Sequence, residues 1–393
     1  MHLKATNMSH PKVLGLGRVW RWPLQRAVHQ PYGWLDEVVK ERLGWYRGVL
    51  QGRYSAKFLL CKQISCGGDP RLKSDGELWQ EHGRLSSELS DAIGICVKGD
   101  SPNSHLLKPE FSFLDLKCEL THRILRKCIF CEWRCKVDRL ANERGKGCGL
   151  DSKARVSAFF PHFGEEPPLV DQNGSGTIFF TSCNSHCVFC QNWSISQDPL
   201  DGMAVSARDV SGIIKSLCRD GVANINLVGG EPTPNTHVIL EALNLTSTNV
   251  SILWNSNMYM TPETMQILAD VVDIWLPDFK WGNDRCAAKY SRVPRYFEVT
   301  ARNHLMAYRN GDMIVRHLVM PGHLECCTRP ILDWVAGNCP RALVNVMGQY
   351  RPEHLVLQQS SEYLEIARRP GSWEVDEARR YADHLGLVWR PVS

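Results

Sequence analysis

No run of about 18 apolar residues occurs in the chain, so a membrane-spanning helix is not expected. Residues 1–29 lack the apolar core of a secretory signal. Excess charge of one sign is also missing. The 46 basic and 42 acidic residues leave +4, too even a balance to make nucleic acid the main partner. Acid is scarce only at the start: Lys4, Lys12, Arg18, Arg21 and Arg26 precede the first acidic residue, Asp36. Such a start suits an organelle transit peptide, but a disordered arm is the plainer reading. No membrane, no nucleic acid and a cytoplasmic setting are therefore expected, with organellar targeting left open. Hydrophobic residues make up 43% and charged residues 22%, near the averages of chains that bury a real core.

Cysteine is abundant, with 16 in 393 residues. In a reducing compartment, cysteines at fixed spacing point to metal binding or catalysis rather than to disulfides. Three regions are expected: 1–110, without clear periodicity or readable role; 111–165, rich in cysteine; and 170–393, where the pattern becomes regular. Gly67-Gly68, Asp69-Pro70 and Ser101-Pro102 read as turns in the first region, and Glu165-Glu166-Pro167-Pro168 as a linker after the second.

From Gly176 onward, short apolar runs alternate with helical spacing. Strands are predicted at 177–180, 224–228, 250–254, 273–276, 313–320 and 342–347. Helices are predicted at 210–217, 236–245, 262–270 and 330–336. Strand–helix alternation of this kind argues for a parallel sheet with helical crossovers, open or closed into a barrel. Reactive groups should then lie at the C-terminal ends of the strands. The polar motifs fall there: Cys183-Asn184-Ser185-His186-Cys187-Val188-Phe189-Cys190 after the first strand, Gly229-Gly230-Glu231-Pro232 after the second, Asn255-Ser256-Asn257 after the third, and Asp278 and Lys280 after the fourth. Arg316 and His317 end the fifth.

Cys183, Cys187 and Cys190 supply three thiols with spacing C-x3-C-x2-C. Thiolates are the usual ligands of iron-sulfur clusters. Three ligands to a four-iron cube would leave one iron open to bind and activate a small molecule, the same logic as an open catalytic zinc. A zinc site, with His186 nearby as a fourth ligand, is the alternative. A second set, Cys128, Cys131, Cys135 and Cys148, has the short knuckle of a closed zinc site or a second iron-sulfur cluster. The remaining cysteines, among them Cys286, Cys326 and Cys327, show no such order and read as ordinary thiols.

The C-x3-C-x2-C loop with Phe189 before its last cysteine, followed one strand later by Gly229-Gly230-Glu231-Pro232, resembles the radical S-adenosylmethionine (SAM) superfamily. More closely the chain looks like the PflX-like subgroup related to pyruvate formate-lyase activating enzymes. That likeness runs from about residue 118 to 390, with Glu132 where a proline would be expected beside Cys131. The resemblance implies a partial (β/α)6 barrel carrying an N-terminal cysteine-rich module. It implies a [4Fe-4S] cluster on Cys183, Cys187 and Cys190, and S-adenosyl-L-methionine bound by Gly229, Gly230, Glu231, Pro232, Asn255 and Lys280, with Asn257 in the same loop. The glycines would let the backbone approach the methionyl group, and Glu231 would accept from its ammonium. It implies a one-electron donor such as flavodoxin or ferredoxin, and an oxidoreductase that installs a glycyl radical on a protein substrate. A small molecule or a different protein is the alternative substrate, and a metal-binding scaffold that uses both cysteine sets structurally is the alternative outside catalysis, though it would have no need of Gly229-Gly230-Glu231-Pro232 beside three cysteines.

Overall fold

All six predicted runs form strands in the computed structural model, which describes residue 34 and residues 36–98 and 109–393. The basic N-terminal arm, with its transit-peptide expectation, and the Ser101-Pro102 turn lie outside the described residues. The strands are β1 (Ala154–His162), β2 (Ser175–Phe180), β3 (Met203–Val205), β4 (Asn224–Gly229), β5 (Ser251–Ser256), β6 (Ile274–Pro277), β7 (Asp312–Leu318) and β8 (Leu343–Met347). They make one sheet in the order β3-β1-β2-β4-β5-β6-β7-β8. From β2 to β8 the neighbours run parallel, giving a (β/α)6 unit; β1 and β3 add antiparallel pairs at the β2 edge. Strands covered on both faces read as continuous apolar runs rather than alternating ones, and β5 is buried at every position.

Glu165 and Glu166 show that the sheet curls. Asn226 on β4 donates to Glu165 Oε1 at 3.0 Å, and Arg316 on β7 lies 3.7 Å from Glu165 Oε2. The next residue, Glu166, accepts from Asn345 on β8 at 2.8 Å. Two adjacent residues thus reach strands far apart in the sheet order, so the concave face closes into a partial barrel with polar side chains inside. The segment read from sequence as a linker is part of that interior.

Residues 37–61 form three short helices at the N-terminal ends of the strands. The Trp45 indole donates to Asp273 at 2.8 Å, the Tyr46 backbone N–H to Asp312 at 2.8 Å, and Asn224 Nδ2 to the Tyr46 hydroxyl at 2.9 Å. These contacts close the end of the barrel opposite the candidate motifs. The helix Asp75–Val97 follows, started by a Ser74/Glu77 capping box, and Phe113–Arg126 is started by Ser112/Asp115. Lys117, fully buried, donates to Asp270 Oδ2 at 2.7 Å and to the Ile267 carbonyl at 3.0 Å. Burial opposes the charged form of Asp270, yet Lys117 outweighs it and holds the carboxyl below its ordinary range. Such a pair adds little net stability, but losing either member strands a buried charge. Residues from this N-terminal stretch share one apolar core with the sheet. Among the described residues, no helix is long and apolar enough to cross a membrane.

Candidate active site

The loop after β2 is built to present sulfur. Ser182 takes a left-handed backbone (φ 69°) just before Cys183, a strained conformation of the kind found at functional sites. Its N–H donates to the Ile195 carbonyl at 2.8 Å. The His186 and Val188 N–H groups donate to the Ser291 and Tyr290 carbonyls at 3.1 and 2.8 Å. Val188 and Phe189 sink into the core, with Phe189 edge-on to Trp281 and Tyr350. This explains the aromatic before the last cysteine: it anchors the loop inward.

Polar groups surround the three sulfurs. Cys183 Sγ accepts from the Ser185 N–H at 3.3 Å and from Asn257 Nδ2 at 3.4 Å. Cys187 Sγ lies 3.1 Å from Ser291 Oγ, and Cys190 Sγ 3.3 Å from Ser196 Oγ. Burial pushes the Cys183 thiol up, and Glu231 and Cys187 add to the rise. Burial and then Cys187 raise Cys190, with Lys280 acting against them. Two buried thiols and a third partly exposed one, Cys190, would repel one another as thiolates and fit a positively charged metal centre, since coordination deprotonates a thiol outright. His186 is no fourth ligand: Nδ1 pairs with Gln197 Oε1 at 2.7 Å and Nε2 with the Gly147 carbonyl at 2.8 Å. The donor set therefore suits a cube with one open position better than a closed zinc site.

Gly229-Gly230-Glu231-Pro232 packs against this loop. A Cβ on Gly230 would stand 2.0 Å from the Ser182 carbonyl oxygen, and one on Gly229 (φ 126°) 2.0 Å from that of Phe180. The lack of side chains is thus accounted for by the chain's own packing beside Cys183. Glu231 is 1% exposed. Its Oε1 accepts from the Thr233 N–H at 3.2 Å, the Thr233 hydroxyl at 2.5 Å and the Ser256 hydroxyl at 2.7 Å; its Oε2 accepts from the Asn257 N–H at 2.9 Å. Burial raises its carboxyl despite these donors. Glu231 ties the loop after β4 to the loop after β5. Asn257 in turn donates to Asn184 Oδ1 at 2.8 Å as well as to Cys183, so one chain of bonds runs from Glu231 to the first cysteine.

Asn255 points into the interior, where it accepts from Arg316. Arg316 also donates to Asp278 Oδ1 at 2.8 Å, and Lys280 pairs with Asp278 Oδ2. Burial opposes the charge on Asp278, but Arg316 and Lys280 outweigh it and hold the carboxyl below its ordinary range. Lys280 is held above its own, chiefly by Asp278 acting against burial. His317 is structural: its nitrogens meet the Phe279 carbonyl and Thr328 Oγ1, and burial lowers its pKa to about 4.

The second cysteine set lies in one neighbourhood, though its sulfurs do not close as a group to within 4.8 Å of one another. Burial raises the Cys131 thiol, and Cys148, Cys128 and Cys135 contribute to its environment. The Lys146 N–H donates to Cys135 Sγ at 3.1 Å. This module touches the cysteine loop after β2 directly: Trp133 Nε1 donates to the Asn184 carbonyl at 2.7 Å, and Ser182 donates to the Cys148 carbonyl. Sequence reading missed that contact, and it also missed a third gathering. Cys286, Cys326 and Cys327, expected to be ordinary thiols, meet His323.

A family model described as the Radical SAM superfamily matches residues 177–335. The uncharacterized protein MJ0674 of Methanocaldococcus jannaschii is 39% identical over 352 residues, 88% of this chain and 98% of the relative. The 7-carboxy-7-deazaguanine synthase of Methanothermobacter thermautotrophicus is 23% identical over 206 residues, 50% of this chain and 82% of that enzyme. Streptococcus suis SuiB bound to S-adenosylmethionine aligns with TM-score 0.34 at 17% identity, over 47% of this chain and 44% of that one. SuiB bound to its precursor peptide SuiA gives 0.33 at 17%, over 47% and 43%. The chain spans less than half the length of these solved structures.

Proposed function

The chain belongs to the radical SAM superfamily, whose members use a [4Fe-4S] cluster and S-adenosyl-L-methionine, and from that premise we propose that Cys183, Cys187 and Cys190 hold the cluster. Gly229, Gly230, Glu231, Pro232, Asn255 and Lys280 form the S-adenosyl-L-methionine pocket beside it. The observation that carries this reading is the bonded path from Glu231 through Asn257 to Cys183 Sγ. Held there, the cluster and S-adenosyl-L-methionine would supply one-electron reductive cleavage of a sulfonium C–S bond and, through it, hydrogen-atom abstraction from a substrate. The protein binds, orients and excludes water. Glu231 acts by fixing Asn257 and the turn after β4, since four protein donors already occupy its carboxylate. Lys280, paired with and held charged by Asp278, lowers the Cys190 thiol electrostatically and offers an ammonium to an anionic group. Cys128, Cys131, Cys135 and Cys148 hold a structural metal that braces the Asn184 and Ser182 segment. A one-electron donor such as flavodoxin or ferredoxin provides the electron.

For the substrate we favour a partner protein of the glycyl-radical type, which makes this a glycyl-radical-activating oxidoreductase of the PflX-like kind. The support is apolar surface around the cysteine loop. Trp193, three residues after Cys190, is 43% exposed and stacks on His354; Leu357 is 62% exposed, and its neighbour Val356 donates to the Val188 carbonyl. The likeness to 7-carboxy-7-deazaguanine synthase and the polar barrel interior favour a second reading, a small-molecule substrate. The two separate in an anaerobic mixture of reduced enzyme, S-adenosyl-L-methionine and candidate partners. The first expects a persistent protein radical, with one 5′-deoxyadenosine formed per radical. Catalytic turnover of a metabolite with no radical left on any protein would select the second.

A further inference from the structure

Behind the cysteine loop, one layer of aromatic side chains away, lies a second set of soft ligands that the proposed chemistry does not use. Cys286 comes from the helix Asp284–Tyr290; His323, Cys326 and Cys327 come from the turn after β7. One ligand atom from each lies within 4.8 Å of all the others. His323 Nδ1 is 3.7 Å from Cys286 Sγ, 3.2 Å from Cys326 Sγ and 4.0 Å from Cys327 Sγ; the Cys326 and Cys327 sulfurs are 3.7 Å apart. Zinc–sulfur bonds of about 2.3 Å and zinc–nitrogen bonds of about 2.0–2.1 Å give a tetrahedron with edges of about 3.5–3.8 Å. The observed separations scatter around those edges.

The backbone holds this arrangement. His323, Cys326 and Cys327 stand at i, i+3 and i+4, on one side of a helical turn. That turn is a π-helix, Leu324–Thr328, in which the His323 carbonyl accepts from both the Cys327 and Thr328 N–H groups, at 3.0 and 3.1 Å. Single π turns concentrate at functional sites. Cys286 is held opposite by close backbone contact: a Cβ on Gly282 would stand 2.7 Å from Cys327 Cα, and Asn283 Nδ2 donates to the Cys326 carbonyl at 2.7 Å. Cys286, His323 and Cys327 are buried, and Cys326 is partly exposed.

We propose that Cys286, His323 Nδ1, Cys326 and Cys327 bind one zinc ion in a closed, four-coordinate structural site. The spacing decides between one ion and a cube, because thiolates on a cube each bind a separate iron and stand farther apart. The ion fastens the segment 281–291 to the turn after β7. Trp281 packs edge-on to His323, with centroids 5.6 Å apart, and its Nε1 donates to Ser291 Oγ at 2.7 Å. The Ser291 and Tyr290 carbonyls in turn carry the cysteine loop. The zinc site thus braces the loop through the Tyr290 and Ser291 carbonyls, contacts separate from those the Cys128–Cys148 module makes at Ser182 and Asn184.

The test uses full-length protein and needs no activity. Wild-type protein and Cys326→Ser/Cys327→Ser, both purified from zinc-supplemented cells, are compared by metal analysis. The double variant is expected to carry one zinc fewer per chain. If it does not fold, wild-type protein is treated with N-ethylmaleimide before and after a chelator, and peptides are read by mass spectrometry. Cys326 should be shielded in the zinc-loaded protein and labelled once zinc is removed. Equal zinc in a folded double variant, equal labelling with and without chelator, or a Cys326–Cys327 disulfide in the isolated protein would overturn the site.

Discussion

Protein with Cys183, Cys187 and Cys190 all replaced by alanine is expected to lose about four irons per chain after anaerobic reconstitution, together with the brown colour of a [4Fe-4S] centre. Among the described residues, no group beside the three sulfurs can take over. His186 is engaged at both nitrogens, and the nearest polar atoms, Ser185, Ser196 and Ser291, are weak ligands for iron. The Cys128–Cys148 set is separate and should keep its metal in this variant. Iron analysis with the absorbance of the reconstituted protein checks the outcome; undiminished iron would show that the cluster sits elsewhere.

Gly230→Val is expected to act on folding as well as on cofactor binding. Any Cβ there would stand 2.0 Å from the Ser182 carbonyl oxygen and 3.0 Å from Ser196 Cα. Both contacts are backbone, which cannot swing aside as a long side chain can. Overpacking of this kind costs up to about 3 kcal/mol or more, and the displaced residue adjoins Cys183. The variant should melt well below wild type even without metal, and should reconstitute poorly. If the glycine served only to admit S-adenosyl-L-methionine, the metal-free protein would keep its melting temperature and its iron, and only cofactor affinity would fall. Thermal melts of the metal-free proteins separate the two.

The strands of the barrel were legible because parallel strands covered on both faces contain short, continuous apolar runs, as at Ile252–Trp254. The motifs were legible because the site sits at strand ends. Other parts were hidden for physical reasons. Strand β1 carries Pro161 and exposes Phe159 and Phe160, so it shows neither a clean run nor an alternation. The helix Asp75–Val97 did carry a signal, Ser74-x-x-Glu77, but its three glycines and weak apolar stripe masked the period. Glu165 and Glu166 looked like a linker beside two prolines, because nothing local says that a chain will cross a barrel interior. The Cys286–His323–Cys326–Cys327 group was invisible to a search for paired cysteines. One ligand comes from another segment, and the remaining three follow a His-x2-Cys-Cys spacing that only a helical turn brings together. The sequence places Glu231 at the end of β4, but its donors come from residues 233, 256 and 257, and only the fold aligns them.

The central claim is that this chain cleaves S-adenosyl-L-methionine reductively at the Cys183–Cys190 loop, and the most direct measurement is chromatography of the nucleoside products. Iron-loaded protein, incubated anaerobically with a strong reductant and S-adenosyl-L-methionine, is predicted to release 5′-deoxyadenosine and methionine in equal amounts. Release of neither from fully loaded protein, or undiminished release by the triple-alanine variant, would contradict the account.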